Sequence, residues 1–208
     1  MKYPGFSLYL VTDRKSIPDK DLLTVIKSAL EGGLRAVQLR EKDMGGRELF
    51  ALAQRLKSLT SEYGAKLFIN DRLDVALGVG ADGIHLGAGG FSPADLKKVW
   101  KGKLIGVSAH SVAEAIRAER EGAHFITLGP VFHTPSKERY GKPIGLGPVK
   151  EAGRKLKIPV FAIGGIKKER IGEVISSGAR GVALISGVLK SADPKKSVKE
   201  MLEELSNL

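Results

Sequence analysis

Eight short apolar runs recur along this 208-residue chain, and each ends in polar residues or glycine. They span residues 8–13, 36–42, 66–72, 83–87, 104–110, 125–130, 159–165 and 181–187. The stretches between them have helical character, so the spacing predicts eight β-strands alternating with helices. When such strands run parallel in a barrel, catalytic residues gather at their C-terminal ends. Here those ends read Thr12-Asp13, Gln38-Leu39-Arg40-Glu41-Lys42, Asn70-Asp71-Arg72, His85-Leu86-Gly87, Ser108-Ala109-His110, Gly129-Pro130, Gly164-Gly165 and Ser186-Gly187. Chemistry of that kind at every strand end reads as a site rather than as packing.

A repeated junction supports the same architecture. Glu31-Gly32-Gly33-Leu34-Arg35-Ala36, Val79-Gly80-Ala81-Asp82-Gly83, Glu121-Gly122-Ala123-His124-Phe125 and Ser177-Gly178-Ala179-Arg180-Gly181 each close a helix and open a strand. Glycine just past a helix supplies the left-handed residue that caps it. Four copies argue for repeated β-α units and a parallel sheet. Between the strands, Leu49, Leu52, Ala53, Leu56 and Leu59 mark one face of a helix. Ser92-Pro93, Ser111 and Asp193-Pro194 are expected caps. The reading is a (β/α)8 TIM barrel forming a single domain over residues 1–208. An open, doubly wound sheet is the main alternative, binding ligand at one switch point. Polar residues at nearly every strand end favour the closed ring. A typical barrel of this kind has about 250 residues, so the loops here are expected to be tight.

Composition narrows the function classes. The chain has no cysteine, which excludes disulfides and thiolate metal sites and fits a cytoplasmic enzyme. No run approaches the roughly 18 apolar residues of a membrane span. Met1-Lys2-Tyr3-Pro4-Gly5 leads directly into a strand, so no signal peptide is expected. The formal charge is +11, but no basic stripe interleaved with aromatics and no nucleic-acid-binding motif accompanies it. The excess is assigned to solvated helix faces, with part focused on an anionic small substrate.

Particular residues carry the chemistry. Gln38 and Arg40 share one face of their strand, the barrel interior, where Arg40 can grip a phosphate with Lys42 as a second cation. An internal salt bridge from Arg40 to Asp71 is the structural alternative. Asn70 offers donor and acceptor groups suited to a heterocycle edge. Asp71 could hold Mg2+ together with substrate phosphate oxygens, or Asn70-Asp71 could cap the next helix. Gly164-Gly165 and Ile185-Ser186-Gly187 follow the seventh and eighth strands, where barrels commonly bind phosphate on backbone amides. The longest loop, 131–143, is polar and basic and reads as a lid. In it Thr134, Ser136 and Lys137 could cradle a diphosphate. His85 and His110 lie at strand ends, His133 in the loop, and His124 on the opposite, stabilising face. No zinc spacing and no nucleophile elbow is visible. Such equipment suits departure of a phosphorylated group, not acyl transfer.

As an ordered set, Gln38-Leu39-Arg40-Glu41-Lys42, Asn70-Asp71-Arg72, His85-Leu86-Gly87, Gly106-Val107-Ser108-Ala109-His110, Gly129-Pro130-Val131-Phe132-His133-Thr134-Pro135-Ser136-Lys137, Ala162-Ile163-Gly164-Gly165-Ile166 and Ile185-Ser186-Gly187 resemble a known superfamily. It comprises thiamine-phosphate synthase and the related thiazole tautomerase, and the likeness covers nearly the whole chain. The resemblance implies a transferase that joins 4-amino-2-methyl-5-hydroxymethylpyrimidine diphosphate to 4-methyl-5-(2-phosphoethyl)thiazole. It implies a dissociative reaction, with diphosphate leaving before the thiazole nitrogen attacks. Carried over, Arg40, Lys42, Lys137 and Ser108 form the catalytic set, the three cations on the diphosphate. Gln38 and Asn70 join Ser108 at the pyrimidine, and Asp71 takes Mg2+. Thr134 and Ser136 hold the thiazole phosphate side, with Gly165, Ile185 and Ser186 nearby. The expected partners are small phosphorylated substrates, neither nucleic acid nor membrane, and self-association stays open.

The chain departs from the synthase pattern at Gly90, where a second Mg2+ carboxylate is expected. The segment Gly87-Ala88-Gly89-Gly90-Phe91-Ser92-Pro93 looks more like the tautomerase. Against that activity, Pro130 stands at the tautomerase's catalytic histidine position, and Lys42 is a synthase-type residue. The alternatives are a tautomerase acting on carboxythiazole phosphate and a non-catalytic protein that binds a thiamine intermediate.

Overall fold

The computed structural model describes residues 4–87, 89–96, 98–134 and 142–207. All eight expected strands form: β1 (Leu8–Val11), β2 (Ala36–Leu39), β3 (Lys66–Asn70), β4 (Gly83–Leu86), β5 (Leu104–Ala109), β6 (Phe125–Leu128), β7 (Val160–Ile163) and β8 (Gly181–Leu184). They pair in parallel in chain order, and β8 returns to β1 with Val182 opposite Leu8 and Leu184 opposite Leu10. This closure excludes the doubly wound sheet. Each strand stops short of the polar end of its apolar run. Thr12, Arg40 and Asp71 have left the ladder and begin the loops over the barrel mouth.

Helices α1 (Leu22–Glu31), α2 (Gly46–Glu62), α3 (Leu73–Gly78), α4 (Pro93–Leu96), α5 (Val112–Glu121), α6 (Leu146–Lys155), α7 (Ile171–Ser176), α8 (Ser186–Leu189) and α9 (Pro194–Ser206) lie between and after the strands. The repeated glycine device works as the sequence implies. Gly33, Gly80, Gly122 and Gly178 all have positive φ, between 64° and 110°, a region an L-residue enters only at a cost. The caps are also in place: Asp21, Ser111 and Asp193 accept the amides of Thr24, Glu114 and Lys196. Ser92 and Asp95 cap each other at the start of α4.

Alternation along the strands divides the core into two shells. Leu8, Leu10, Val37, Leu39, Leu67 and Ile69 pack outward against the helices, while Tyr9, Phe68, Phe125 and Phe161 point inward and meet Phe6 on the axis. Their ring centroids lie 5.2 to 6.4 Å apart, several edge to face, the favoured aromatic arrangement. A narrow barrel holds so many rings only if their neighbours are small. Phe68 pairs in register with Gly83, Phe125 with Gly106 and Phe161 with Gly181. A Cβ on any of these glycines would collide with the ring of its partner. The rings plug the barrel below the mouth, so a ligand has access only from the C-terminal side.

Candidate active site

The β1 and β2 ends are braced against each other. The buried Thr12 hydroxyl accepts the Arg40 amide at 2.9 Å and donates to Glu41. The Glu41 carboxylate also accepts the Arg14 amide at 3.1 and 3.2 Å. Burial nevertheless raises its carboxyl above the usual carboxylate range. Glu41 is thus tied down as a structural brace, while Arg40 and Lys42 on either side of it both line the mouth. Neither cation forms an ion pair with a described residue, and the expected alternative of an Arg40–Asp71 bridge is not formed.

Asp71 follows β3 in a left-handed conformation, φ 56°, which is rare outside glycine, asparagine and aspartate. The turn places its carboxylate between two donors. Oδ1 accepts Gly87 N at 2.7 Å and Oδ2 accepts Asn70 Nδ2 at 2.8 Å. The side chain does not cap α3, contrary to the capping alternative. Among the described residues nothing bonds the Asn70 carbonyl oxygen or its second N–H, which leaves both for a ligand. Arg72 turns away to Asp74 at 2.6 and 2.9 Å and holds that carboxyl down at about 2.

Below these groups lies a polar layer resting on the ring plug. His85 Nδ1 is 3.3 Å from Tyr9 Oη, and His85 Nε2 is 3.0 Å from Ser108 Oγ. Gln38 Nε2 donates to Tyr9 Oη at 3.1 Å. Complete burial pushes His85 down to about 3 and the Tyr9 hydroxyl well above its ordinary value. Both are neutral at physiological pH.

At the β6 and β7 ends, Val131 N donates to Ile163 O and Phe132 N to Gly164 O, at 2.9 and 3.0 Å. The Arg170 guanidinium covers the Phe132 ring at 4.2 Å. Gly164 and Gly165 have φ of 101° and 65°. A Cβ on Gly164 would lie 2.6 Å from Pro130, and one on Gly165 2.8 Å from Phe132. These glycines therefore admit the base of the 131–143 loop, a demand beyond the phosphate approach inferred from sequence.

Two adjoining cavities open at the mouth, of about 230 and 530 Å³. Gln38, Arg40, Lys42, Asn70, Ser108 and Ile185 line the first; Thr134, Gly165, Ile185 and Ser186 line the second. Ile163, Gly164 and Ile185 belong to both. Asp71 is joined to the first cavity through its bonds to Gly87 and Asn70. Ser136 and Lys137 lie outside the described residues. The sequence reading missed Tyr9, which sits inside an apolar run, and Thr127, which lines the first cavity from inside β6; it gave Thr12 only as a strand end, not as the brace it forms. It also missed Lys167 and Lys190, whose cationic side chains border the second cavity.

The arrangement offers cations unpaired among the described residues, and donor and acceptor groups suited to a heterocycle, beside a glycine- and serine-lined recess. Comparison with known proteins gives the same picture. Residues 8–188 match the family model described as thiamine monophosphate synthase. The chain belongs to that family. A putative thiamine-phosphate synthase of Geobacter sulfurreducens is 48% identical over 198 residues, covering 95% of this chain and 93% of that protein. A thiamine-phosphate synthase of Clostridium novyi is 40% identical over 199 residues, covering 95% and 97%. Among solved structures, the thiamine phosphate pyrophosphorylase from Pyrococcus furiosus superposes with a TM-score of 0.89 at 37% identity, covering 97% of this chain and 96% of that one. A 3-hexulose-6-phosphate synthase, at 18% identity and TM-score 0.70, shares the fold.

Proposed function

We propose that this chain is a thiamine-phosphate synthase, condensing 4-amino-2-methyl-5-hydroxymethylpyrimidine diphosphate with 4-methyl-5-(2-phosphoethyl)thiazole. The observation that carries the reading is the pair of adjoining cavities. The first presents Arg40 and Lys42 without carboxylate partners among the described residues, and the second is edged by the β7 and β8 ends. In the first, Gln38, Asn70 and Ser108 hold the pyrimidine, and Arg40, Lys42 and Lys137 hold its diphosphate. Thr134, Ser136, Gly165, Ile185 and Ser186 serve the thiazole phosphate. The pyrimidine C–O bond breaks heterolytically, and its electron pair leaves with the diphosphate. The thiazole nitrogen then donates its lone pair to the methylene cation. Preorganised cations lower the barrier because negative charge grows on the leaving group.

Family membership implies Mg2+. Among the described residues no cluster of three or more His, Asp or Glu is arranged to hold a metal. The donor set still suits Mg2+, which takes one or two carboxylates plus substrate phosphate oxygens and waters. Each Asp71 oxygen accepts a single N–H from a described residue and keeps another lone pair available. When bound there with the diphosphate, the ion would offset charge on the departing group.

The test is diphosphate release from the two substrates, with and without Mg2+. Magnesium-dependent release with thiamine phosphate formed supports the reading; no product at high enzyme and magnesium overturns it. Gly90 favours a second reading, the thiazole tautomerase, because that position beside Asp71 carries no carboxylate. That activity needs neither diphosphate nor metal, so turnover of carboxythiazole phosphate without magnesium would identify it. No described helix is long and apolar enough to cross a membrane, and a cytoplasmic location fits the phosphorylated substrates.

A further inference from the structure

The polar layer under the first cavity has a direction. The Gln38 amide donates to Tyr9 Oη, so the Tyr9 proton must go elsewhere, and His85 Nδ1 at 3.3 Å is the acceptor in reach. A neutral imidazole that accepts at Nδ1 carries its proton on Nε2. That proton faces Ser108 Oγ at 3.0 Å, with Thr127 Oγ1 the more distant neighbour at 3.3 Å. Thr127 Oγ1 also donates to Ser108 Oγ, at 3.3 Å. Both lone pairs of the Ser108 oxygen are then committed, and its own O–H is left for the cavity. At the other end of the run, the Gln38 carbonyl oxygen is left as an acceptor.

If His85 carried its proton on Nδ1, Tyr9 Oη would accept from both His85 and Gln38. Its own buried proton would have no partner, and an unmet buried donor is costly. Every described buried side-chain nitrogen and oxygen has a hydrogen-bond partner, and with the Gln38 amide donating to Tyr9 Oη the Nε2-protonated ring is the form that leaves no proton unmet.

We propose that Tyr9 acts as a positioning residue: through His85 it fixes Ser108 as a donor and Gln38 as an acceptor, a pair that selects an amino-substituted over an oxo-substituted pyrimidine edge. This rests on the synthase reading for the identity of the ring, but the direction of the run belongs to the free protein. An exocyclic amino group donates where Gln38 accepts, and a ring nitrogen accepts where Ser108 donates. An oxo group would set two acceptors face to face, and sites built around such pairs discriminate strongly.

The experiment is nitrogen-15 NMR of histidine-labelled, ligand-free protein, read for the His85 tautomer. The expected form carries the proton on Nε2. A proton on Nδ1 reverses the run and overturns the proposal. Tyr9→Phe should leave a folded protein in which His85 becomes a mixture of tautomers; an unchanged Nε2-protonated form would show that Tyr9 plays only a packing role. Calorimetry then compares the amino pyrimidine diphosphate with its oxo analogue on both proteins. Tyr9→Phe should narrow the preference for the amino form about three- to tenfold, the worth of one ordinary hydrogen bond; an unchanged ratio refutes the specificity role. Ser108→Ala should weaken amino-pyrimidine binding while keeping the wild-type His85 tautomer, and a changed tautomer there would place control of the run at Ser108 instead. A missing synthase activity with an Nε2-protonated His85 would refute the enzyme assignment and leave the directed run standing.

Discussion

Burial of His85 makes this fold sensitive to mild acid. In the folded protein the ring stays neutral down to about pH 3, because desolvation opposes its charge and Arg40 adds to the effect. In the unfolded chain a histidine takes up its proton near pH 6.5. Below that pH the unfolded state binds a proton that the folded state refuses, so stability falls as pH falls. The loss begins near pH 6.5 and levels off once the folded ring titrates, near pH 3. Between pH 7 and 5 it amounts to about 2 kcal/mol, and the full window corresponds to roughly 5 kcal/mol. For a chain of this length, 2 kcal/mol lowers Tm by about 4–8 °C. The assay is urea unfolding of wild type and His85→Gln at pH 7 and pH 5. Carboxylates titrate mostly below this range, and His124, also depressed by burial, contributes equally to both proteins. The wild type should lose about 2 kcal/mol more than the variant between the two pH values. Equal losses would refute the argument and mean that the folded ring takes up its proton with little penalty.

The other predictions concern the site and the plug. Lys137→Ala should cripple turnover with the thermal transition unchanged, read by steady-state diphosphate release and melting; normal activity would remove Lys137 from the diphosphate site. Asp71→Asn should abolish magnesium stimulation, read by titrating Mg2+ into the release assay, and an unchanged magnesium profile would place the metal elsewhere. Gly90→Asp should lower the Mg2+ concentration needed for half-maximal rate, although its Cβ would lie 2.9 Å from Asp71 Oδ1 and oblige that carboxylate to shift; Gly90→Ala carries the same Cβ and should show no such gain. Gly106→Ala would bring a methyl into the Phe125 ring and within 2.6 Å of His85 Nδ1, and should cost about 1–3 kcal/mol in denaturant unfolding.

The barrel was legible because its signals are local. Apolar runs gave the strands, and the four helix-ending glycines at 33, 80, 122 and 178 all proved to need positive φ. Strand ends were placed too far along because Thr12, Arg40 and Asp71 continue the residue pattern after leaving the ladder. The pairing of Phe68, Phe125 and Phe161 with Gly83, Gly106 and Gly181 was not legible, since it exists only across strands in register. The same holds for His85. Its place at a strand end suggested a mouth residue, but the inward parity it shares with Gly83 puts it under the mouth, against Tyr9. Gln38, Arg40, Asn70 and Ser108 do gather around one cavity. A double alternation could be read for Gln38 and Arg40, whereas the Asp71–Gly87 bond depends on a turn that sequence does not encode locally.

Glycine at position 90, beside Asp71, has a thermodynamic consequence. If Mg2+ binds at Asp71 as proposed, the protein supplies little of its octahedral shell with Gly90 alongside, and most ligands would come from water and diphosphate. Metal and diphosphate then bind as coupled ligands, each raising the affinity of the site for the other by the same factor. Arg40 and Lys42 reinforce this dependence: without an anion they repel a divalent cation, and with diphosphate in place that repulsion is offset. A site with a second carboxylate would hold the ion more independently of substrate. On the proposed function the substrate would complete the metal site, so the charge that must be stabilised as the bond breaks would be the same charge that recruits the ion.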